Sequence, residues 1–222
     1  MRVYIGYDHT QDVAYEVCKH SIIKHSSNKD IVIDKINCDT VVGYDRLHDP
    51  LASTPFTYAR FYIPFVNHYK GWSIFCDGDF LFLEDIQKLS DQCDPQYAVQ
   101  VVKHNYTPSN TIKMNDKQQS VYPRKNWSSL ILWNNEHPKN KALDCNLLNG
   151  ATGSFLHQFQ WLDDSDIGEI NYDWNWLVGW YDETAEQQPK ALHFTEGGPW
   201  LKPVENKYDL IWKQYEKDLI KL

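Results

Sequence analysis

The sequence predicts an α/β protein: one domain with a mainly parallel central sheet flanked by helices. Three observations lead there. Residues 1–36 read strand, helix, strand, a length that favours a right-handed βαβ crossover. A strongly apolar strand at Trp72–Cys76 then ends in the acidic triplet Asp77-Gly78-Asp79. Finally, the 222 residues show no internal repeat and no low-complexity linker, and that length suits a single domain with a substantial core.

Taken in order, Arg2-Val-Tyr-Ile-Gly-Tyr7 is the first strand and Asp8–Gln11 the loop after it. From Asp12 to His25 the apolar residues Val13, Ala14, Val17, Cys18, Ile22 and Ile23 recur at helical spacing. Ile31–Ile36 gives the second strand. Thr57–Asn67 reads as a helix broken near Pro64, because proline removes an N–H and clashes with the preceding turn. It leads to the strand Trp72–Cys76 and to a further apolar run, Phe80–Leu83. Tyr97–Val102 and Ser129–Trp133 are additional strands. The polar stretch between them, Asn105–Asn126, is equally a functional loop or a surface excursion. Gly150–Leu162 is compatible with a helix, followed by an acidic turn at Asp163–Asp166, and Tyr208–Leu222 with an amphipathic terminal helix. Ligands of open α/β sheets bind beyond the carboxyl ends of the strands, so the first loop and the acidic triplet are expected to share a cleft.

Thirty acidic residues against twenty-two basic ones leave a formal net charge of −8. A nucleic-acid binder that neutralises phosphates needs a basic face, and this balance argues against one. An acidic chain that handles an anionic ligand requires a metal or a few local cations instead. Nine Trp and fourteen Tyr fit sugar stacking, although core packing accounts for most aromatics in any protein. The five cysteines are widely spaced without a Cys-x-x-Cys pair, which indicates neither a zinc site nor a disulfide framework and predicts a reducing, cytoplasmic setting. The N-terminus enters a strand without a basic-then-apolar leader, and no apolar run nears the length of a transmembrane helix.

Asp77-Gly78-Asp79 has two readings. Asp-Gly-Asp is a turn sequence, with acidic caps around a residue free to adopt positive φ. Alternatively, two carboxylates at a strand end, with Gly78 allowing close backbone approach, suit a divalent cation carrying a phosphate-bearing ligand whose oxygens complete the shell. The apolar flanks favour the second, because carboxylates at the rim of a buried sheet need a counter-charge.

Four segments in order, Val3-Tyr-Ile-Gly-Tyr-Asp8, Ser53-Thr-Pro-Phe-Thr-Tyr-Ala-Arg60, Asp77-Gly78-Asp79 and His193-Phe-Thr-Glu-Gly-Gly-Pro-Trp200, resemble nucleotide-sugar glycosyltransferases of the GT-A (Rossmann-like) fold, closest to family eight and its relatives. The resemblance covers nearly the whole chain. It implies that residues 1–104 mainly bind the nucleotide sugar and that 105–222 carry the acceptor side and complete the metal site. By resemblance Tyr7 and Asp8 hold the base and ribose, although Tyr7 also reads as an ordinary strand aromatic. Arg60 matches the family's arginine beside the acidic triplet and the donor, where it neutralises Asp77 or reaches a donor oxygen, or else forms a purely structural ion pair. His193 matches the histidine that joins Asp77 and Asp79 around Mn2+ or Mg2+.

Several positions depart from the family pattern. Lys202-Pro203 follows Trp200 instead of preceding a Trp, so a diphosphate contact passes either to Lys202 or to the backbone N–H groups of Gly197 and Gly198. Trp127 replaces a family asparagine, leaving Ser128 and Ser129 as sugar-hydroxyl partners or plain strand-edge serines. Counting back from Tyr172-Asp-Trp-Asn-Trp176 places His157 and Gln158 near the reacting carbon of the sugar. Trp127, Trp174 and Trp176 are sugar platforms or core.

The resemblance therefore implies a metal-dependent glycosyltransferase that moves a sugar from a UDP-linked donor to a carbohydrate, lipid-linked or protein hydroxyl, with retention of configuration. Two alternatives remain. A nucleotidyltransferase is expected to carry a glycine-rich, basic first loop, and Gly6–Gln11 has one glycine and no Lys or Arg. A non-catalytic nucleotide-sugar binding module keeps the same residues without turnover.

Overall fold

The computed structural model describes residues 1–47, 49, 52, 54–105, 123–181 and 188–220. Ser53, most of the polar stretch (106–122) and residues 221–222 lie outside the described residues.

Strand β1 (Arg2–Gly6) leads into helix α1 (Asp12–His25) and strand β2 (Val32–Ile36). A 3-10 turn over Ala59–Tyr62 runs into the short helix α2 (Ile63–Val66) and then strand β3 (Trp72–Cys76). Strand β4 (Phe80–Phe82), helix α3 (Gln87–Ser90), strand β5 (Val99–Val101) and strand β6 (Leu130–Asn134) follow. The remainder comprises α4 (Cys145–Gly150), α5 (Gly153–His157), β7 (Ile167–Glu169), β8 (Trp176–Leu177), β9 (Ala191–His193) and α6 (Lys207–Ile220).

Six strands form one sheet in the order β2-β1-β3-β6-β5-β7. The pairs β1–β2, β1–β3 and β5–β7 are parallel, while β6 is antiparallel to both neighbours. All strands but β6 therefore run one way, and the expected mainly parallel α/β sheet is present with one reversed strand at its centre. That reversal matters for the site. Cys76 at the end of β3 faces Leu130 at the start of β6, so the chain entering β6 arrives at the same edge as Asp77. A second sheet, β4-β9-β8, lies beyond that edge.

Successive residues of β1, β3 and β6 alternate between two apolar layers, as the two-residue period of a strand requires. Tyr4, Phe75, Ile131 and Trp133 pack with Phe61, Tyr62 and Phe159 on one face. Val3, Ile5, Ile74, Cys76, Leu130 and Leu132 pack with Tyr15, Cys18 and Ile22 of α1 on the other. Burial on both faces explains why these strands read as continuous apolar runs. Helix α6 lies against α1, with Trp212 and Tyr215 in a third cluster beside Val17, Leu192 and Phe194. The five cysteines are free thiols, and among the described residues no helix is long and apolar enough to cross a membrane.

Two expected helices differ. Pro64 does not break a helix but sits in the first turn of α2, where its missing N–H has no intrahelical partner to lose. Gly150–Leu162 is not continuous: α4 ends at Gly150, and the Thr152 hydroxyl accepts from the Phe155 N–H to start α5. Phe159, with φ of 52°, turns the chain out of helical geometry two residues past His157.

Candidate functional site

The carboxyl end of β3 gathers the acidic triplet. The Asp77 N–H donates to the Ser129 carbonyl at 2.9 Å, extending the β3–β6 ladder by one residue. At Gly78 the chain passes so close to β1 that a Cβ would lie 2.5 Å from the Gly6 carbonyl oxygen. Only glycine permits that approach. Asp79 then opens β4, where Phe80 pairs with His193 of β9 and the Phe194 N–H donates to the Asp79 carbonyl at 3.1 Å. The pairing brings His193 Nε2 to 3.3 Å from Asp79 Oδ1, and the Phe80 ring stacks on the imidazole at 4.4 Å. One ligand atom each of Asp77, Asp79 and His193 falls within 4.8 Å of the others. The three residues expected to hold a metal thus converge.

Arg60 is buried beneath this cluster. Its Nη1 lies 2.7 Å from Asp77 Oδ1 and donates to the Ser128 carbonyl at 2.8 Å, while Nε donates to the Thr57 carbonyl at 3.2 Å. The rings of Phe56 and Phe75 flank the guanidinium. Arg60 thereby offsets one carboxylate of an acidic pair and is anchored at that carboxylate by backbone carbonyls. Asp79 Oδ1, also buried, accepts no hydrogen bond among the described residues. A buried carboxylate oxygen without a donor, facing an imidazole and a second carboxylate, is the chemistry of a site for a divalent cation.

Behind His193 the sequence reading missed a chain of polar groups. His193 Nδ1 lies 2.8 Å from Asn175 Oδ1. The Asn175 amide donates to Ser129 Oγ at 2.9 Å, and that hydroxyl donates to the Asn126 carbonyl at 2.6 Å. Asn126 reaches it in left-handed geometry, φ 64°. His104 is buried nearby with Nδ1 2.7 Å from the Tyr181 hydroxyl. Burial pushes its imidazole down to about 3, with the proximity of His193 acting in the same direction, so the ring is neutral at physiological pH. The overlooked signal for Asn175 was an amide between Trp174 and Trp176, a polar side chain inside an apolar run that requires buried partners.

The other expected residues divide. Ser128 is close to the acids: its Oγ lies 2.8 Å from His157 Nδ1, and its carbonyl holds Arg60. His157, held there by that bond, also stands against Phe61 and Tyr58. Gln158 does not join it, because its amide donates to Ser154 and accepts from Gln160. The Ser129 hydroxyl is engaged on both sides by Asn175 and Asn126, which makes it a buried support and not a partner for sugar hydroxyls. Asp8 accepts from the Thr10 N–H and hydroxyl, shaping the first loop. The Tyr7 hydroxyl donates to Asp12 at 2.9 Å, a bond that raises its pKa, and the Lys35 ammonium lies over its ring.

At the other end, the Gly197 N–H closes a turn on the Phe194 carbonyl at 2.9 Å with φ of 83°. Its expected role as a diphosphate donor is therefore replaced by a structural one. Gly198 lies directly beneath the Trp200 ring, whose Nε1 donates to Gln11 of the first loop at 3.1 Å. Lys202 reaches Glu205 at 3.7 Å. Trp174 and Trp176 are core residues, not platforms, because each is enclosed by apolar neighbours. Trp127 is half-buried, with its Nε1 on the His104 carbonyl. Asp163 and Asp166 form a capping box paired to Lys139, and Asp164 pairs with Arg124; this is the surface turn read from the sequence.

A mixed sheet of this order with an Asp-Gly-Asp triplet at the end of its central strand defines a protein of the GT-A glycosyltransferase fold. Glycosyltransferase GlyE of Streptococcus pneumoniae TIGR4 superposes with a TM-score of 0.64 at 14% identity, over 99% of this chain and 62% of GlyE. The chain therefore spans about three fifths of that protein. The galactosyltransferase LgtC, solved with donor and acceptor sugar analogues, gives 0.62 at 12% identity over 98% of this chain and 96% of its own. Mouse xyloside xylosyltransferase 1 gives 0.54 at 10% identity, over 91% and 99%. No family model matches the sequence. Protein CDI of Arabidopsis thaliana is 47% identical over 206 residues, 90% of this chain and 79% of that protein, and the chain belongs to its family.

Proposed function

We propose that the protein is a metal-dependent glycosyltransferase that moves a sugar from a nucleoside diphosphate donor, uridine-linked, to a hydroxyl acceptor with retention of configuration. The observation that carries this reading is the convergence of Asp77, Asp79 and His193 at the carboxyl edge of a GT-A sheet. Asp77, Asp79 and His193 would hold Mn2+ or Mg2+. The bound ion supplies Lewis-acid stabilisation of the negative charge that builds on the departing diphosphate. Arg60 holds Asp77 in place through the 2.7 Å ion pair. Tyr7 and the Asp8 loop, at the end of the neighbouring strand β1, are positioned for the nucleoside. On this reading Ser128, whose carbonyl shares Arg60 Nη1 with Asp77, and His157, bonded to the Ser128 hydroxyl, serve the sugar, and residues 105–222 contribute the acceptor side.

Release of UDP from a panel of UDP-sugars, assayed with Mn2+ and with EDTA, tests the reading. Metal-dependent release is expected, and Asp79→Asn should reduce it at least a hundredfold while leaving thermal unfolding close to wild type. A wild-type protein that releases no nucleoside diphosphate from any donor sinks the enzyme reading. Donor binding without release would assign a binding module instead.

A further inference from the structure

The buried groups behind His193 determine which of its nitrogens carries the proton. The Ser129 hydroxyl has one hydrogen, directed at the Asn126 carbonyl at 2.6 Å. It can therefore only accept from Asn175, which orients the amide with its NH2 toward Ser129 at 2.9 Å and its oxygen toward His193. An amide oxygen accepts and never donates. The His193 nitrogen 2.8 Å from it must then be Nδ1–H, and a neutral imidazole so protonated has a bare Nε2. That lone pair points to the side where Asp79 Oδ1 lies, 3.3 Å away.

We propose that Asn175 is a positioning residue that holds His193 in its Nδ1–H form, keeping Nε2 available as a metal ligand. The proposal rests on the metal reading above. Without Asn175, the Asp79 carboxylate would itself favour the opposite tautomer, because an Nε2–H could donate to Oδ1. The metal position would then be closed by a hydrogen bond between two of its own ligands. Partners of this kind commonly change metal affinity by about 10–100-fold.

Two readouts test it. In metal-free protein carrying nitrogen-15 histidine, long-range proton–nitrogen spectra report the tautomer of His193, assigned by its loss in His193→Ala. Mn2+ affinity is measured separately from the electron paramagnetic resonance of free Mn2+. Wild type should show Nδ1–H. Asn175→Leu should move His193 toward Nε2–H and weaken Mn2+ binding by about 10–100-fold. Asn175→Asp, which retains an accepting oxygen, should keep the Nδ1–H form. Should Asn175→Leu fail to fold, Ser129→Ala removes the group that orients the amide and should likewise raise the Nε2–H share. A wild-type His193 found as Nε2–H, or variants that leave tautomer and Mn2+ affinity unchanged, overturns the proposal. Wild-type protein that binds no Mn2+ overturns the metal reading instead, and the metal-free tautomer then still decides for or against Asn175.

Discussion

Gly78 shows how tightly single residues constrain the site. Its absent side chain leaves room for the Gly6 carbonyl, which a Cβ would approach to 2.5 Å, and the obstacle is backbone that cannot rotate away. Gly78→Ala should therefore separate the ends of β1 and β3 and destabilise the fold by about 1–3 kcal/mol, the usual range for overpacking. Urea unfolding measures the cost, and a variant as stable as wild type would show that the two strand ends move apart freely. Arg60 illustrates a different constraint. The sequence left open whether it neutralises Asp77, reaches a donor oxygen or forms a purely structural ion pair; the structure pairs it with Asp77 at 2.7 Å and anchors it on Thr57 and Ser128. No pattern in the sequence encoded those anchors, since both are main-chain carbonyls. The same holds for Ser129, whose neighbour Ser128 is chemically identical but differently directed.

At the scale of elements, the seam between α1 and α6 carries a pH dependence of its own. His25 Nε2 meets the Tyr215 hydroxyl at 2.6 Å, and Lys24 pairs with Asp218 at 2.8 Å while lying over the Tyr215 ring. Burial pushes the His25 imidazole below its ordinary value, with Lys24 adding to the effect and Glu84 and Asp85 opposing it. The folded protein thus keeps His25 neutral where the unfolded chain, with a value of about 6.5, takes up a proton. The unfolded state binds more protons below that pH, so the contribution to stability is complete above about pH 6.5 and declines as the pH falls. Urea midpoints should drop between pH 7 and pH 5, and by less in His25→Asn. Equal drops in the two proteins would remove His25 as the cause. Helices α1 and α6 were legible from spacing because each buries one stripe along its length. Residues 150–162 were not, since the cap at Thr152 and the positive φ of Phe159 interrupt a composition that otherwise suits one helix.

For the whole molecule, ligand linkage offers a test that needs no acceptor. A donor that, in the presence of Mn2+, binds only the folded chain at a hundred times its dissociation constant adds about 2.7 kcal/mol, which in a domain of this size raises Tm by about 5–10 °C. EDTA should abolish the shift; a shift that persists in EDTA would show donor binding that does not use the metal. The parallel core of the sheet and the acidic edge were legible because βαβ periodicity and strand ends leave marks in consecutive residues. The reversed direction of β6 was not, because direction in a sheet depends on which neighbours a strand finds and leaves no local signature. The same limit hid Asn175, whose bonds to Ser129 and His193 form only once the residues before β6, before β8 and at the end of β9 meet.

The pairing of β4 with β9 has a consequence for how the protein is made. Asp77 and Asp79 leave the ribosome long before His193, an interval on the order of ten seconds at typical elongation rates. Until β9 is added, the nascent chain has two carboxylates and the arginine that offsets one of them, without an imidazole. The cluster of Asp77, Asp79 and His193 is thus complete only once β9 has been made, and a chain interrupted before β9 would carry the visible motif without the histidine.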